Sequence, residues 1–145
     1  MSPFDEIAIG GILPQREPFL FVDRLMYYDE RETVTAFTVP ADHLLVEDGR
    51  LTAPGILEHM AQSSAARIGY LCKYILHVPV RIGYIGAIRK FRVGRLPAAG
   101  ETLTTTVILR EDVFGITLTD VVVRVNDEII AEAALKTALG EKEAE

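Results

Sequence analysis

Residues 52–79 read TAPGILEHMAQSSAARIGYLCKYILHVP, and this stretch predicts one long helix over about 54–76. Thr52 is a suitable N-cap, and Pro54 falls in the first turn, where its missing N–H costs nothing. Pro79 ends the helix, because the residue before a proline avoids helical angles. Apolar or small residues cover most of the helix circumference. We therefore expect other elements to bury this helix on most sides.

The rest of the chain predicts a sheet. β-Branched and aromatic residues favour two strands before the helix and four after it. These six ranges are 19–28, 33–39, 80–93, 102–110, 116–125 and 129–139. We expect a single α+β domain over 1–140, in which a roughly six-stranded antiparallel sheet wraps around the central helix. The charged end, 141–145, is expected to be frayed.

The composition is that of one ordinary globular domain, with 145 residues of which 49% are hydrophobic. The single cysteine, Cys72, excludes an intrachain disulfide and a Cys-rich zinc site. The sequence has no His-x-x-x-His pair and no Gly-rich phosphate loop, so it predicts neither a metal nor another cofactor. No apolar run reaches the ~18 residues of a membrane span. Asp5 and Glu6 stand where a signal peptide would be basic, so we expect a cytoplasmic protein without a membrane partner.

The charges are unevenly distributed. The net charge of −6 argues against nucleic acid as the main partner. Residues 59–100 contain seven Lys and Arg residues and no Asp or Glu, so they carry +7 and the remainder −13. One interpretation is a solvated basic strand edge. The other is a docking site for an anionic partner, such as a phosphate or an acidic carrier protein.

Glu58 is the first candidate for chemistry, because it lies near the start of an otherwise apolar helix. The helix dipole favours its ionised form, whereas apolar neighbours favour its neutral form, and either form suits general acid/base catalysis. Gln62, one turn further along the same face, is placed to orient the carboxylate. The sequence is equally compatible with a helix-start glutamate that faces solvent.

The three histidines differ in position. His43 lies in a loop ahead of the helix. His59 adjoins Glu58 but points about 100° away around the helix, so the two side chains do not easily act together. His77 lies at the end of the helix, where an exposed position is expected.

Three stretches resemble one family in the same order along the chain. Leu13–Arg24, LPQREPFLFVDR, resembles the opening segment of the β-hydroxyacyl-acyl-carrier-protein dehydratases (the FabA/FabZ-like family). Glu58–Gln62, EHMAQ, resembles their central-helix motif Glu-Ala-Met-Ala-Gln. The segment KFR at 90–92, followed by Pro97 and Gly100, is similar to their next strand and turn.

This resemblance implies the hot dog fold and a homodimer, with further assembly left open. It also implies a site at the dimer interface, where an acyl chain on phosphopantetheine, carried by acyl carrier protein or CoA, enters an apolar tunnel. In the family a histidine removes the α-proton, and the helix glutamate, matched here by Glu58, helps to eliminate the β-hydroxyl as water. The family histidine lies in a Gly-His-Phe-Pro loop. The shorter loop at 41–52 lacks that motif and offers His43 instead.

The remaining expected site residues fall into two groups. The substrate-binding group comprises Gly55, Gln62, Phe19, Tyr84 and Gly86. The carrier-binding group comprises Arg89, Lys90, Arg92 and Arg95. Three functions stay open: a 3-hydroxyacyl-thioester dehydratase of fatty-acid or polyketide-type metabolism, a non-catalytic acyl-thioester-binding homologue that lacks the catalytic histidine, and an acyl thioesterase that uses Glu58.

Overall fold

The computed structural model describes the backbone of residues 2–143 and the side chains of residues 2–140. Helix α1 spans Ala53–Tyr70 and continues as a π-helical segment, Leu71–Ile75. The strands of the described residues are β1 (Arg24–Tyr28), β2 (Glu32–Thr38), β3 (Val46–Glu47), β4 (Arg50–Leu51), β5 (Arg81–Val93), β6 (Thr102–Val113), β7 (Ile116–Val125) and β8 (Glu128–Glu143).

Six strands form one antiparallel sheet in the order β1-β2-β6-β7-β8-β5, and β3 and β4 form a separate hairpin. Helix α1 packs against β5, β2 and β6 of the large sheet. The predicted α+β architecture, one central helix on a six-stranded antiparallel sheet, is therefore confirmed.

The helix begins as its sequence predicts. The Thr52 hydroxyl accepts a hydrogen bond from the N–H of Gly55 at 3.3 Å, which caps the first turn. Its last turn is π-helical, a detail that the apolar pattern does not reveal. The N–H of Val78 donates to the carbonyl of Cys72, which closes the chain over the helix end before Pro79.

The first predicted strand begins too early in the sequence-based assignment. Residues 19–23 are not part of a strand, and β1 starts at Arg24. The reason is that backbone groups of Phe19 and Phe21 bind side chains of α1 instead of a neighbouring strand. The other five strands are confirmed within a few residues: β7 has the predicted limits, and β6 and β8 are longer than predicted.

The interior beneath α1 is apolar on one side and polar on the other. Met60 is fully buried in a cluster that receives side chains from β2, β6, β7 and β8. Ile68 is also buried, at 4% exposed, so the predicted burial of both residues is confirmed. Near the second half of the helix, by contrast, two buried threonines of the sheet, Thr117 and Thr137, line a cavity together with Ile68.

Strand β5 forms one end of the sheet and pairs only with β8 among the described strands. Strand β8 runs to Glu143, whereas residues 144–145 of the predicted frayed tail lie outside the described residues. The division of the chain at residue 140 therefore stays a prediction. Within residues 2–143, no helix is long and apolar enough to cross a membrane.

Candidate active site

Glu58 occupies the second turn of α1, and its side chain is partly exposed. Its Oε1 accepts a hydrogen bond of 2.9 Å from Nε2 of Gln62. This is the contact that the four-residue spacing predicts, because such residues share one helix face. Gln62 itself is only 1% exposed. The carboxyl group is thus held at the boundary of the interior by a buried partner.

The Gln62 amide is fixed in one orientation by the segment before β1. Its Oε1 accepts from the N–H of Phe21 at 2.7 Å, and its Nε2 donates to the carbonyl of Phe19 at 2.8 Å. Both contacts require the same placement of the amide oxygen and nitrogen, so the remaining N–H points to Glu58. Ionised and neutral carboxyl groups both offer an acceptor oxygen. The contact therefore holds Glu58 in either protonation state.

His59 is fully buried, and both of its ring nitrogens are occupied. Nδ1 lies 2.6 Å from the carbonyl oxygen of Phe21, and Nε2 lies 2.6 Å from Oγ1 of Thr105. Because a carbonyl only accepts, Nδ1 carries the proton and Nε2 accepts from the threonine hydroxyl. Burial lowers the pKa of His59 to about 4, although the bond to Phe21 opposes this shift. His59 is therefore neutral, and its hydrogen bonds link α1 to β6 and to the segment before β1.

His43 packs edge-on against two phenylalanine rings. Its ring centroid lies 4.5 Å from that of Phe21 and 6.0 Å from that of Phe37. Both ring nitrogens are buried, and neither has a hydrogen-bond partner among the described residues. In particular, no hydrogen bond joins His43 to Glu58 in that part of the chain. Phe21 connects the two residues indirectly. Its ring contacts His43, and its N–H donates to Gln62.

Two small cavities lie side by side along α1. The first has a volume of about 80 Å³ and is lined by Glu58 and Gln62. The second has a volume of about 120 Å³, and Ile68 and Thr137 line both. A Cβ at Gly83 would lie 2.5 Å from Cδ1 of Ile68, so this position on β5 favours glycine. Glu58 thus opens onto the first of two adjoining spaces between α1 and the sheet.

The residues predicted to bind substrate occupy different environments. Gly55 is buried, and its N–H is used by the Thr52 cap, so this amide is not free for a ligand. A Cβ at Gly55 would lie 2.5 Å from Leu51 Cδ1, which explains the glycine by packing. The three other predicted residues besides Gln62 lie at the surface: Phe19, Tyr84 and Gly86.

The residues predicted to bind a carrier also differ from one another. Arg95 is engaged by two carboxylates, Glu101 at 2.8 Å and Glu128 at 3.1 Å. Hydrogen bonds from Arg95 hold the pKa of Glu101 at about 2, so both partners are charged at neutral pH. The three other predicted cations are exposed on β5: Arg89, Lys90 and Arg92.

Two residues of this region were not identified from the sequence. Phe21 supports His43, His59 and Gln62 at once, and its only signal is its position within the opening motif. Arg67 is 6% exposed beside the second cavity. Its signal is a charge within an apolar helix, which is more often a solvated position.

Comparisons with known proteins agree with this geometry. A sequence model described as ApeP-like, ApeP dehydratase, matches residues 7–145. A 3-hydroxyacyl-[acyl-carrier-protein] dehydratase FabZ from Desulforamulus reducens is 33% identical over 93% of this chain and 96% of its own. A FabZ from Anaeromyxobacter sp. (strain K) is 29% identical over 96% of this chain and 92% of its own.

Among solved structures, "The Dehydratase Heterocomplex ApeI:P from Xenorhabdus doucetiae" contains a chain that superposes with a TM-score of 0.85. Identity is 17%, and the match covers 94% of this chain and 93% of the other. The fold is therefore the hot dog fold, of the FabA/FabZ-like dehydratase class. Within that class, this chain belongs to the ApeP-like dehydratase family.

Proposed function

We propose that this protein is a 3-hydroxyacyl-thioester dehydratase that acts on acyl chains carried on the phosphopantetheine of acyl carrier protein or CoA. The observation that carries the proposal is the Glu58 carboxyl group, held by Gln62 at a cavity between α1 and β5. The FabZ relatives, which are named for this reaction, support the substrate class and a place in fatty-acid or polyketide-type metabolism.

The reaction requires one base and one acid. His43 accepts the α-proton as the α C–H bond breaks, and the released electron pair forms the α,β double bond. The β C–O bond breaks, and neutral Glu58 gives its proton to the departing hydroxide. The products are an enoyl thioester and water. The step is redox-neutral, so it requires no redox cofactor.

The unpartnered nitrogens of His43 support its role as the base. A histidine whose lone pair is engaged, as in His59, has no free site for the α-proton. His43 has no such engagement among the described residues, and the Phe21 and Phe37 rings fix its plane. A positioned base or acid is worth roughly 10²–10⁴-fold in rate.

A second copy of the chain is part of this proposal. The outer edge of β5 has no partner strand within residues 2–143, and an unpaired edge is a template for pairing with another strand. A symmetric pair through β5 would bring two Glu58 cavities close to one interface. Exposed Arg89, Lys90 and Arg92 on this strand are proposed to attract an acidic carrier, and a cytoplasmic location is expected.

A non-catalytic acyl-thioester-binding subunit is the second candidate. It is favoured by the position of His43, which is not among the described residues that line the Glu58 cavity. The superposed solved structure is a dehydratase heterocomplex by name, which also fits a chain that works beside a second, different subunit. A thioesterase that uses Glu58 to activate water is the third.

One incubation separates these functions. Purified protein is mixed with 3-hydroxyoctanoyl-CoA, with its acyl-carrier-protein form and with octanoyl-CoA, and the products are separated by mass. The proposal predicts enoyl thioester from the two 3-hydroxyacyl substrates and intact octanoyl-CoA. Free thiol would indicate the thioesterase. Binding without any product would indicate the non-catalytic subunit and contradict the proposal.

His43 is tested in the same assay with His43→Asn, and His77→Asn serves as the matched control because His77 is exposed at the far end of the helix. The proposal predicts a loss of roughly 10²–10⁴-fold for the first and none for the second. Equal activity of both variants would remove His43 from the mechanism.

A further inference from the structure

The second cavity beside α1 is polar on one side. Its apolar wall is formed by the end of the helix and the segment that follows it, including Ile68, Leu71 and Val78. Its polar wall includes Arg67 and Thr137. Arg81, the first residue of β5, also lines the cavity and donates to the carbonyl of Gly140. Because Ile68 and Thr137 also line the Glu58 cavity, the two cavities adjoin. A chain that enters beside Glu58 and continues along α1 would reach Arg67 at its far end.

Arg67 has no protein partner that accounts for its burial. It is 6% exposed, and it makes no hydrogen bond or ion pair with any residue in the described part of the chain. Its positive charge acts on Tyr28, where it opposes the rise in pKa that burial causes. The guanidinium nitrogens keep a small accessible surface, so an acceptor atom can reach them. The guanidinium carries five N–H donors and no acceptor, so it requires acceptor atoms.

The hydroxyl groups around Arg67 show the same deficit. Thr137 is 3% exposed, and its Oγ1 is buried without a partner among the described residues. Oγ of Ser64, which lines the adjoining Glu58 cavity, is also buried without a partner among the described residues. Native proteins leave few buried polar groups unpaired, so two such hydroxyl groups along the adjoining cavities point to a polar ligand.

Asp112 also borders this cavity, but it does not neutralise Arg67. It is exposed, and no ion pair joins the two within 4.0 Å among the described residues. A single neutral or anionic oxygen group that enters the cavity would contact Arg67 and Thr137 directly.

We propose that Arg67 selects acyl chains whose distal end carries an oxygen acceptor, such as a terminal carboxylate, over chains that end in a methyl group. This inference rests on the proposed function, because it takes the Glu58 cavity as the place of the thioester end. Arg67 and Thr137 would then bind the far end of the same substrate. The volume of about 120 Å³ admits a small terminal group and not a long additional segment.

The test measures binding, so it does not depend on turnover. Isothermal titration compares octanoyl-CoA with its ω-carboxylated counterpart on the wild-type chain, on Arg67→Met and on Lys73→Met. Lys73 is the matched control, because it is an exposed cation near the same helix end. We expect the wild type to prefer the carboxylated chain by roughly 10- to 100-fold, the worth of a charge-assisted hydrogen bond. Lys73→Met should keep this preference, and Arg67→Met should lose it.

The other binding outcomes separate failure of this inference from failure of the proposed function. Equal or weaker binding of the carboxylated chain by the wild type overturns the inference, and dehydration of 3-hydroxyoctanoyl-CoA would then leave the proposed function standing. Failure of both ligands to bind overturns the inference together with the binding part of the proposed function. If Arg67→Met does not fold, Arg67→Gln and Thr137→Val replace it. Unchanged preference in both of these variants contradicts the proposal.

Discussion

The inward face of strand β7 has a valine half and a threonine half. Val121, Val123 and Val125 point inward and are buried in the apolar core. Thr117 and Thr119 continue the same inward face and are also buried. Valine and threonine differ little in shape, so the two halves differ in polarity and not in volume. The valine half belongs to the core that stabilises the fold, whereas Thr117 of the other half borders the cavity beside Arg67.

Two buried polar side chains of α1, His59 and Gln62, are paired. Both bind the backbone of Phe21: its N–H donates to Gln62, and its carbonyl accepts from His59. Thr119 and Thr137, only a few residues away along the sheet, have unpaired hydroxyl groups within the described part of the chain. A paired polar group serves structure, and an unpaired one is costly unless something binds it. Substitutions in the two halves of β7 should therefore change the free energy of unfolding by different amounts.

The largest stability effect is expected in the apolar half. Met60→Ala should lower the free energy of unfolding by about 2–5 kcal/mol, because it leaves a cavity in a well-packed core. Leu76→Ala, at a side chain that is 56% exposed, should change it by no more than about 0.5 kcal/mol. Urea unfolding measures both. Similar losses in the two variants would contradict the assignment of the core to the first half of α1.

A pH effect of intermediate size is expected from His59. Above about pH 6.5 the residue is neutral in both the folded and the unfolded chain, so stability is complete. As the pH falls towards about 4, the unfolded chain binds a proton that the folded chain does not. This should remove about 3 kcal/mol in total. His59→Gln should abolish this part of the pH dependence, and His77→Gln should keep it. If all three proteins lose the same unfolding free energy between pH 7.5 and pH 5, the assigned neutral state of His59 is ruled out.

The smallest effect compares two exchanges on β7. Val121→Thr places a hydroxyl group in the apolar core and should cost about 1–3 kcal/mol. Thr119→Val removes an unpaired hydroxyl group of nearly the same shape, so it should be neutral or slightly stabilising. Thermal unfolding of both variants provides the test. A loss at Thr119 that matches the loss at Val121 would show that the two halves are equivalent.

The local pattern predicted the helix and most of the sheet. Thr52, Pro54 and Pro79 mark the helix limits with local chemistry, and the spacing of Glu58 and Gln62 predicted their hydrogen bond. These features depend on residues close in sequence, so a single chain displays them.

The errors arose where distant residues decide the structure. Residues 19–23 look like a strand, but Gln62 and His59, about forty positions later, bind the backbone there. Arg67 looks like a solvated helix charge, but it is buried beside a cavity that Thr137 and Leu139 of β8 also line.

The central claim is that Glu58 supplies the proton that makes the β-hydroxyl leave as water. The most direct measurement is the rate of enoyl-thioester formation from 3-hydroxyoctanoyl-CoA by the wild type, Glu58→Gln and Glu111→Gln, with Glu111 as an exposed control on β6. Glu58→Gln keeps the shape of the side chain and removes its proton. We expect its rate to fall by roughly 10²–10⁴-fold, with unchanged unfolding and an unchanged rate for Glu111→Gln. Wild-type turnover by Glu58→Gln would contradict the account.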